Sequence, residues 1–169
     1  MRNKLFAAFL LLVSVTLQAE PWKEVGLNQI KPKGWLLDYL QTQKTGLTGH
    51  PEALSYPFDT KLWDGNIPRK GDHGADWWRY EQTAYYADGL IRLGYLLDDE
   101  QMVEKVMAGI RYTLDNPRKD GRLGRKEVHY DWPLAVFYRA MKAAHDVEPL
   151  EKMVPAFARH YKTYNPKHL

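Results

Sequence analysis

The chain has 169 residues, no cysteine and a formal net charge of +3, and 13% of its residues are aromatic. This length suits one domain or a part of a larger one. The lack of cysteine excludes a disulfide scaffold, a thiol nucleophile and every thiolate-bearing zinc site within this chain. With 44% apolar and 27% charged residues, the composition is that of a globular protein.

Residues 1–19 are typical of a secretory signal peptide. Arg2 and Lys4 precede an apolar run from Leu5 to Val13, and the small residue Ala19 stands at the expected cleavage point. The run is shorter than the roughly 20 apolar residues of a spanning helix, although a buried N-terminal helix or an uncleaved anchor is the alternative. We therefore predict a secreted or periplasmic protein that has no membrane contact after cleavage. The remaining chain is nearly neutral, which argues against nucleic acid as a partner.

The mature chain, residues 20–169, begins with one short helix and a long irregular segment. Helical spacing starts at Gly34, and Gly46 is a stop signal. Between Gly46 and Ala75, closely spaced glycines and prolines predict an irregular segment of the kind that is functional or disordered. Its apolar residues indicate that it packs against the fold; they are Leu54, Tyr56, Phe58, Leu62, Trp63 and Ile67.

Two pairs of helices follow. In the first pair, Asp76 is a candidate N-cap, Asp98-Asp99 separates the two helices, and Asn116-Pro117 ends the second one. In the second pair, Asp131 precedes a helix to about Ala144, and Pro149 is expected in the first turn of a helix that ends near Tyr164. Tyr112, Asn116 and Pro117 recur 49 residues later as Tyr161, Asn165 and Pro166. The pattern predicts an all-α fold of repeated αα-hairpins, arranged as a solenoid or a closed ring.

The window from His73 to Tyr86 could bind a sugar. It places aromatic rings beside a carboxylate, an amide and a guanidinium, and a sugar needs both stacking surfaces and directional hydrogen bonds. The start of an ordinary amphipathic helix would explain the same pattern.

Further along, Asp88 and Arg92 have the spacing of a solvated i,i+4 salt bridge. Glu81 and Asp88 are about 10 Å apart along a helix, too far for a glycosidase pair of carboxyls.

A second cluster, His129 to Pro133, precedes the third long helix. Asp131 and Pro133 are explained by helix capping and the first turn, whereas His129 is a candidate functional residue at the same end of the helices. The sequence contains no phosphate-binding glycine loop, no His-Glu-x-x-His helix and no Gly-x-Ser-x-Gly elbow.

Five segments together resemble the β-L-arabinofuranosidase-like family, which is glycoside hydrolase family 127 and its relatives, long filed as a domain of unknown function. They are Gly34–Gln41, Gly46–Glu52, Trp77–Leu97, Asp120–Gly124 and Asp131–Pro133. The resemblance covers nearly all of the mature chain. It implies an (α/α)6 barrel, incomplete in this chain, with the helices near Trp77 and Asp131 in the inner ring and those near Glu100 and Pro149 in the outer ring.

The resemblance also implies what this chain does and what it lacks. Family members act on plant-derived glycans and use a zinc-bound cysteine thiolate as nucleophile, with further cysteines and a glutamate as zinc ligands. Because this chain has no cysteine and family members run to several hundred residues, no catalytic residue, metal ligand or cofactor is assigned to it. Residues 20–169 are expected to be the N-terminal part of the catalytic domain of a secreted glycoside hydrolase, inactive alone.

Carbohydrate is the expected partner. The candidate substrate-binding residues are Trp78, Glu81, Gln82, Tyr85, His129 and Trp132. Two alternatives remain open from the residues. One is a non-catalytic helical module that binds a glycan or another partner, and the other is a helical-repeat fragment with no ligand.

Overall fold

The computed structural model describes residues 24–58, 60–65, 76–124 and 131–163, so the predicted signal peptide, residues 1–19, lies outside the described residues. Within these ranges the chain is all-α, as predicted, and has no strand. The helices are α1 (Trp35–Thr45), α2 (Asp76–Leu96), α3 (Glu100–Asp115), α4 (Asp131–Val147) and α5 (Met153–Lys162).

The predicted boundaries of α1 and α3 are confirmed, and local chemistry explains them. Helix α1 follows Gly34, whose φ of 57° suits glycine, and it ends where the Gly46 N–H donates to the Thr42 carbonyl at 2.9 Å. Helix α3 starts after Asp99, whose side chain accepts a hydrogen bond from the Met102 N–H at 3.0 Å. Helix α1 has no buried residue, so it lies on the surface of the molecule.

The core is centred on α2, which packs against both α3 and α4. Its most deeply buried side chains are large and apolar, and they come from all three helices: Tyr80, Leu90, Ile91, Ile110, Leu134, Phe137 and Met141. Burying one such aliphatic or aromatic side chain contributes about 1.5–3 kcal/mol to folding. The fold of the described chain is therefore held mainly by the three-helix contact between α2, α3 and α4.

The segment between α1 and α2 packs onto this core where it is described. It contains two short 3-10 turns, Pro51–Ala53 and Leu62–Asp64, and is otherwise irregular, as expected. Trp63 is buried with its ring stacked on Phe137 at 4.0 Å between centroids, and its indole N–H donates to the Thr83 hydroxyl at 3.1 Å. The prediction that the aromatic residues of this segment pack down is confirmed for Trp63.

Gly109 explains how closely the 3-10 turn Leu62–Asp64 approaches α3. A Cβ atom at position 109 would lie 2.9 Å from Asp64 Oδ1 and 3.0 Å from Trp63 Cβ. Only a residue without a side chain allows the turn to rest directly on the helix. A glycine in the middle of an amphipathic helix is thus a packing requirement here.

Helices α2 and α4 run parallel. Two side-chain contacts join them: Trp132 with Glu81, and Arg139 with Asp88. In each contact the α4 residue comes 51 positions after its α2 partner. A constant offset of this kind means that the two helices run in the same direction. The starts of both helices therefore lie at the same end of the molecule.

The last helix starts later than the sequence indicates. Pro149 lies in an irregular turn, where the neighbouring Leu150 N–H donates to His145 Nδ1 at 2.9 Å, and α5 begins only at Met153. Pro155 occupies the first turn instead, where a residue needs no N–H because the first N–H groups of a helix have no partner within it. Helix α5 contacts α4 through Phe157, whose ring lies 4.7 Å from that of Tyr138.

None of the helices in the described ranges combines the length and the apolar character that crossing a membrane requires.

Candidate functional site

Glu81 and Trp132, two of the residues predicted to bind sugar, meet at the shared end of α2 and α4. The Trp132 indole N–H donates to Glu81 Oε1 at 2.8 Å, although the residues are 51 positions apart. Glu81 lies in the second turn of α2, and Trp132 is the second residue of α4. The Trp132 ring is 58% exposed, so the hydrogen bond fixes its edge while leaving ring surface available to a ligand.

Two other predicted residues, Gln82 and Tyr85, extend the site along α2. Both are exposed, and Tyr85 is 41% exposed. Residues 81 and 85 are neighbours on a helix surface because they are separated by one turn. Glu81, Gln82, Tyr85 and Trp132 thus supply a carboxylate, an amide and two accessible rings at one end of the described structure.

Trp78 has a different environment. It is half-buried, and its ring makes an edge-to-face contact with Tyr56, with centroids 6.1 Å apart and an interplanar angle of 80°. The contact ties the start of α2 to the segment that precedes it. His129, the sixth predicted residue, lies outside the described residues.

An ionic cluster that the sequence did not reveal lies two turns further along. Asp88 is buried, with a side chain 7% exposed, and it contacts two arginines: Arg92 Nε at 2.7 Å and Arg139 Nη2 at 2.8 Å. The Arg92 guanidinium also donates to the Arg139 carbonyl at 3.4 Å. One carboxylate therefore joins α2 to α4 through two guanidinium groups.

The expectation that Asp88 and Arg92 form a solvated surface pair is wrong for Asp88. The i,i+4 contact exists, but the carboxylate lies in the contact between the helices and has a second arginine partner. Helical spacing identified Arg92 as a partner of Asp88 because the two residues are four positions apart on the same helix. Arg139 could not be identified in this way, because its contact depends on the register between α2 and α4.

A cavity of about 820 Å³ lies on the opposite side of α2, between α3 and the segment that contains Leu62 and Trp63. Its walls include Phe58, Tyr86 and Asp64, and burial raises the pKa of the Asp64 carboxyl. The Tyr86 hydroxyl is already used, because it donates to the Thr48 carbonyl. None of the five described residues that were predicted to bind sugar lines this cavity.

The described residues do not bring together three or more histidine or acidic side chains that could hold a metal ion. The sequence has no cysteine, so it lacks the thiolate ligands that the β-L-arabinofuranosidase-like family uses for zinc.

Comparison of the chain with models of protein families, with curated proteins and with solved structures finds no match.

Proposed function

We propose that this chain is the N-terminal part of a secreted glycoside hydrolase that resembles β-L-arabinofuranosidases, and that its contribution is to bind a plant-type glycan. The hydrogen bond between Trp132 and Glu81 is the observation that carries this proposal. It combines an exposed ring with a carboxylate at the starts of two parallel helices. Rings stack on the C–H faces of sugars, and carboxylates accept hydrogen bonds from their hydroxyls.

The parallel arrangement of α2 and α4 supports the proposed barrel. In an (α/α)6 barrel, successive inner helices are parallel and their equivalent ends meet around the substrate site. The residues predicted for the inner ring, those starting near Trp77 and Asp131, belong to α2 and α4. In this proposal α3 and α5 are outer helices, and the two helix pairs are repeats of one unit.

The chain's own residues have binding roles in this proposal. Trp132 and Tyr85 offer stacking surfaces, and Glu81 and Gln82 pair with hydroxyls.

Catalytic groups are assigned to a part of the enzyme beyond Leu169, and export depends on the predicted signal peptide. Reading the coding DNA past codon 169 should show the frame continuing into helical hairpins that contain cysteine and glutamate. An unrelated gene directly downstream would contradict this part of the proposal.

Binding can be tested on the secreted protein with arabinan oligosaccharides by isothermal titration calorimetry. We expect Trp132→Ala to weaken binding by roughly five- to tenfold, because removing one stacking ring costs on the order of 1–1.5 kcal/mol. Trp35→Ala is the matched control, since Trp35 is also exposed but lies on α1. Equal losses for the two variants, or no binding by the unmodified protein, would contradict the proposed site. Binding without hydrolysis by a chain whose gene ends at codon 169 would favour the non-catalytic module.

A further inference from the structure

The face of α2 that carries Glu81 and Tyr85 continues to Arg92. Residues 81, 85 and 92 share one side of the helix, since offsets of four, seven and eleven positions return to nearly the same direction at 3.6 residues per turn. Gly89 lies on this side, and among the described residues nothing outside its own stretch of helix lies within 4 Å of the place where its Cβ would be. The surface between the Tyr85 ring and the Arg92 guanidinium is therefore open.

Helix α4 has a matching face beside it. Trp132, Ala135 and Arg139 are all exposed and follow one another at intervals of three and four. Because α2 and α4 are parallel, the aromatic ends lie together, as do the arginine ends. The two helices form one continuous surface, which we call the α2/α4 face: Glu81, Tyr85, Gly89, Arg92, Trp132, Ala135 and Arg139.

The arginine end of this face carries two partly exposed guanidinium groups and one buried carboxylate. Asp88 is the carboxylate shared by Arg92 and Arg139, and it is almost fully buried, while the two arginine side chains are 40% and 60% exposed. Asp88 thus holds both guanidinium groups in place from beneath. Lys142, one turn further along α4, is already paired with Glu24 at 2.9 Å and with Asp146.

Such a pair of guanidiniums suits a carboxylate ligand. A guanidinium has five N–H donors in a rigid plane, and two parallel N–H groups match the two oxygens of a carboxylate. The Asp88 contacts use Arg92 Nε and Arg139 Nη2, and Arg92 Nη2 also donates to the Arg139 carbonyl, yet the two arginine side chains remain 40% and 60% exposed. Immobilising an arginine in advance reduces the entropy lost when a ligand binds.

We propose that the α2/α4 face binds a glycan that carries a uronic acid, with a sugar ring on Trp132 and Tyr85 and the carboxylate on Arg92 and Arg139. Tyr85 and Arg92 are about 10 Å apart along the helix axis, which exceeds one sugar ring, so the ligand has at least two residues. This inference rests on the proposed carbohydrate function and names the class of glycan. It requires no chemical step, only recognition of charge and shape.

The test compares two ligands that differ only in charge: a galacturonic acid trimer and its fully methyl-esterified form. Calorimetry on the full secreted chain at low salt should show the acid binding at least about tenfold more tightly than the ester. Arg139→Gln should reduce this preference to about threefold or less, because the variant keeps only one of the two guanidinium groups. Added salt should weaken binding of the acid but not binding of the neutral ester.

The control is Arg111→Gln, which removes an exposed arginine of α3 that is paired with Glu104. It should leave the preference for the acid intact. If Arg139→Gln fails to fold, Arg139→Lys provides the second variant, because it keeps the charge beside Asp88 and loses the planar fork; it should lower acid binding by severalfold.

The outcomes separate this inference from the proposed function. Equal binding of acid and ester, or an equal effect of Arg111→Gln, overturns the uronic acid assignment. If neutral arabinan oligosaccharides then still bind through Trp132, the proposed function stands. If neither the charged nor the neutral glycans bind, both proposals are overturned.

Discussion

Asp99 joins two helices through one carboxylate. It caps α3 by accepting from the Met102 N–H, and it forms an ion pair with Lys44 Nζ of α1 at 2.7 Å. The hydrogen bond from Lys44 and then that from Met102 hold the pKa of Asp99 below its ordinary value. Its contribution to stability is present above the unfolded-state pKa of about 3.9 and is lost as the pH falls through the lower folded-state pKa.

Asp99→Ala should lower the free energy of unfolding by about 1–2 kcal/mol, because the variant loses both the cap and the link to α1. Asp99→Asn should cost less, since an amide oxygen can still cap the helix. Urea unfolding followed by circular dichroism measures both changes. Glu104→Ala, which removes only an exposed pair with Arg111, should cost less than about 0.5 kcal/mol. A loss for Glu104→Ala as large as that for Asp99→Ala would argue against the capping role.

His160 ties α5 to the loop that precedes α4. Its Nδ1 accepts from the Leu123 N–H at 3.2 Å and lies 3.3 Å from the Tyr138 hydroxyl. Burial lowers the pKa of His160 and raises that of Tyr138. A protonated imidazole could not accept the Leu123 hydrogen bond, so the neutral ring is the form that the fold needs.

We expect this histidine to make the protein less stable in mild acid. Because its folded-state pKa is lowered, its contribution is complete above the unfolded-state pKa of about 6.5 and is lost as the pH falls through the lower folded-state pKa. Unfolding free energies at about pH 7.5 and about pH 5 measure the loss. His160→Asn, whose amide can accept the same hydrogen bond without titrating, should show a smaller difference between the two pH values. The same difference in both proteins would rule out His160 as its source.

At the scale of helices, two glycines of α2 should respond to alanine in opposite ways. A Cβ at Gly94 would lie 2.8 Å from Val103 Cγ2 and 3.1 Å from Met102 Cβ, so Gly94→Ala should push α2 away from α3 and cost about 1–3 kcal/mol. Gly89 has open space around it, and Gly89→Ala should stabilise the helix by about 0.5–1 kcal/mol. Thermal unfolding of the two variants provides the comparison. If both variants were less stable than the unmodified protein, helix propensity and available space would not determine the effect of alanine at these positions.

The boundaries of α1 and α3 could be predicted from the sequence, whereas the start of α5 and the contacts between helices could not. The caps at Gly46 and Asp99 depend on residues close in sequence, so their chemistry is visible in the sequence alone. Pro149 was misplaced because the turn before α5 is stabilised by His145, whose contact with the Leu150 N–H depends on the shape of the end of α4. The partnership of Asp88 with Arg139 depends on the register of α4 against α2, which no local pattern encodes.

For the molecule as a whole, much apolar surface remains uncovered. The exposed large apolar side chains in the described ranges include Val25, Trp35, Tyr39, Leu47, Trp132, Val154 and Tyr161. Trp35, Leu36 and Tyr39 are exposed neighbours on α1, and contiguous apolar surface marks interfaces or promotes aggregation. We expect the chain, expressed as given, to be oligomeric or poorly soluble, as measured by size-exclusion chromatography with light scattering. A monomer with one cooperative unfolding transition would contradict this expectation.

The candidate site was predictable by residue type and only in part by position. Aromatic and acidic residues near the starts of α2 and α4 were identified, and Glu81 and Trp132 are in direct contact. Trp78 lies one turn from Glu81 and Gln82 on α2, and it also contacts Tyr56 of the segment before α2, a contact that the sequence did not show. Long irregular segments have no periodic pattern, so the sequence does not show which ring they cover.

The Trp132–Glu81 and Arg139–Asp88 contacts, which have the same offset, together prevent α4 from sliding along α2. Moving α4 along α2 by one helical turn, about 5.4 Å, would separate Trp132 from Glu81 and Arg139 from Asp88 in the same step. Neither contact involves residues 116–130, which connect α3 to α4, so this connection can lengthen or shorten in evolution without shifting the register. The geometry of the α2/α4 face is thus maintained in part by four side chains and does not depend on the length of that connection.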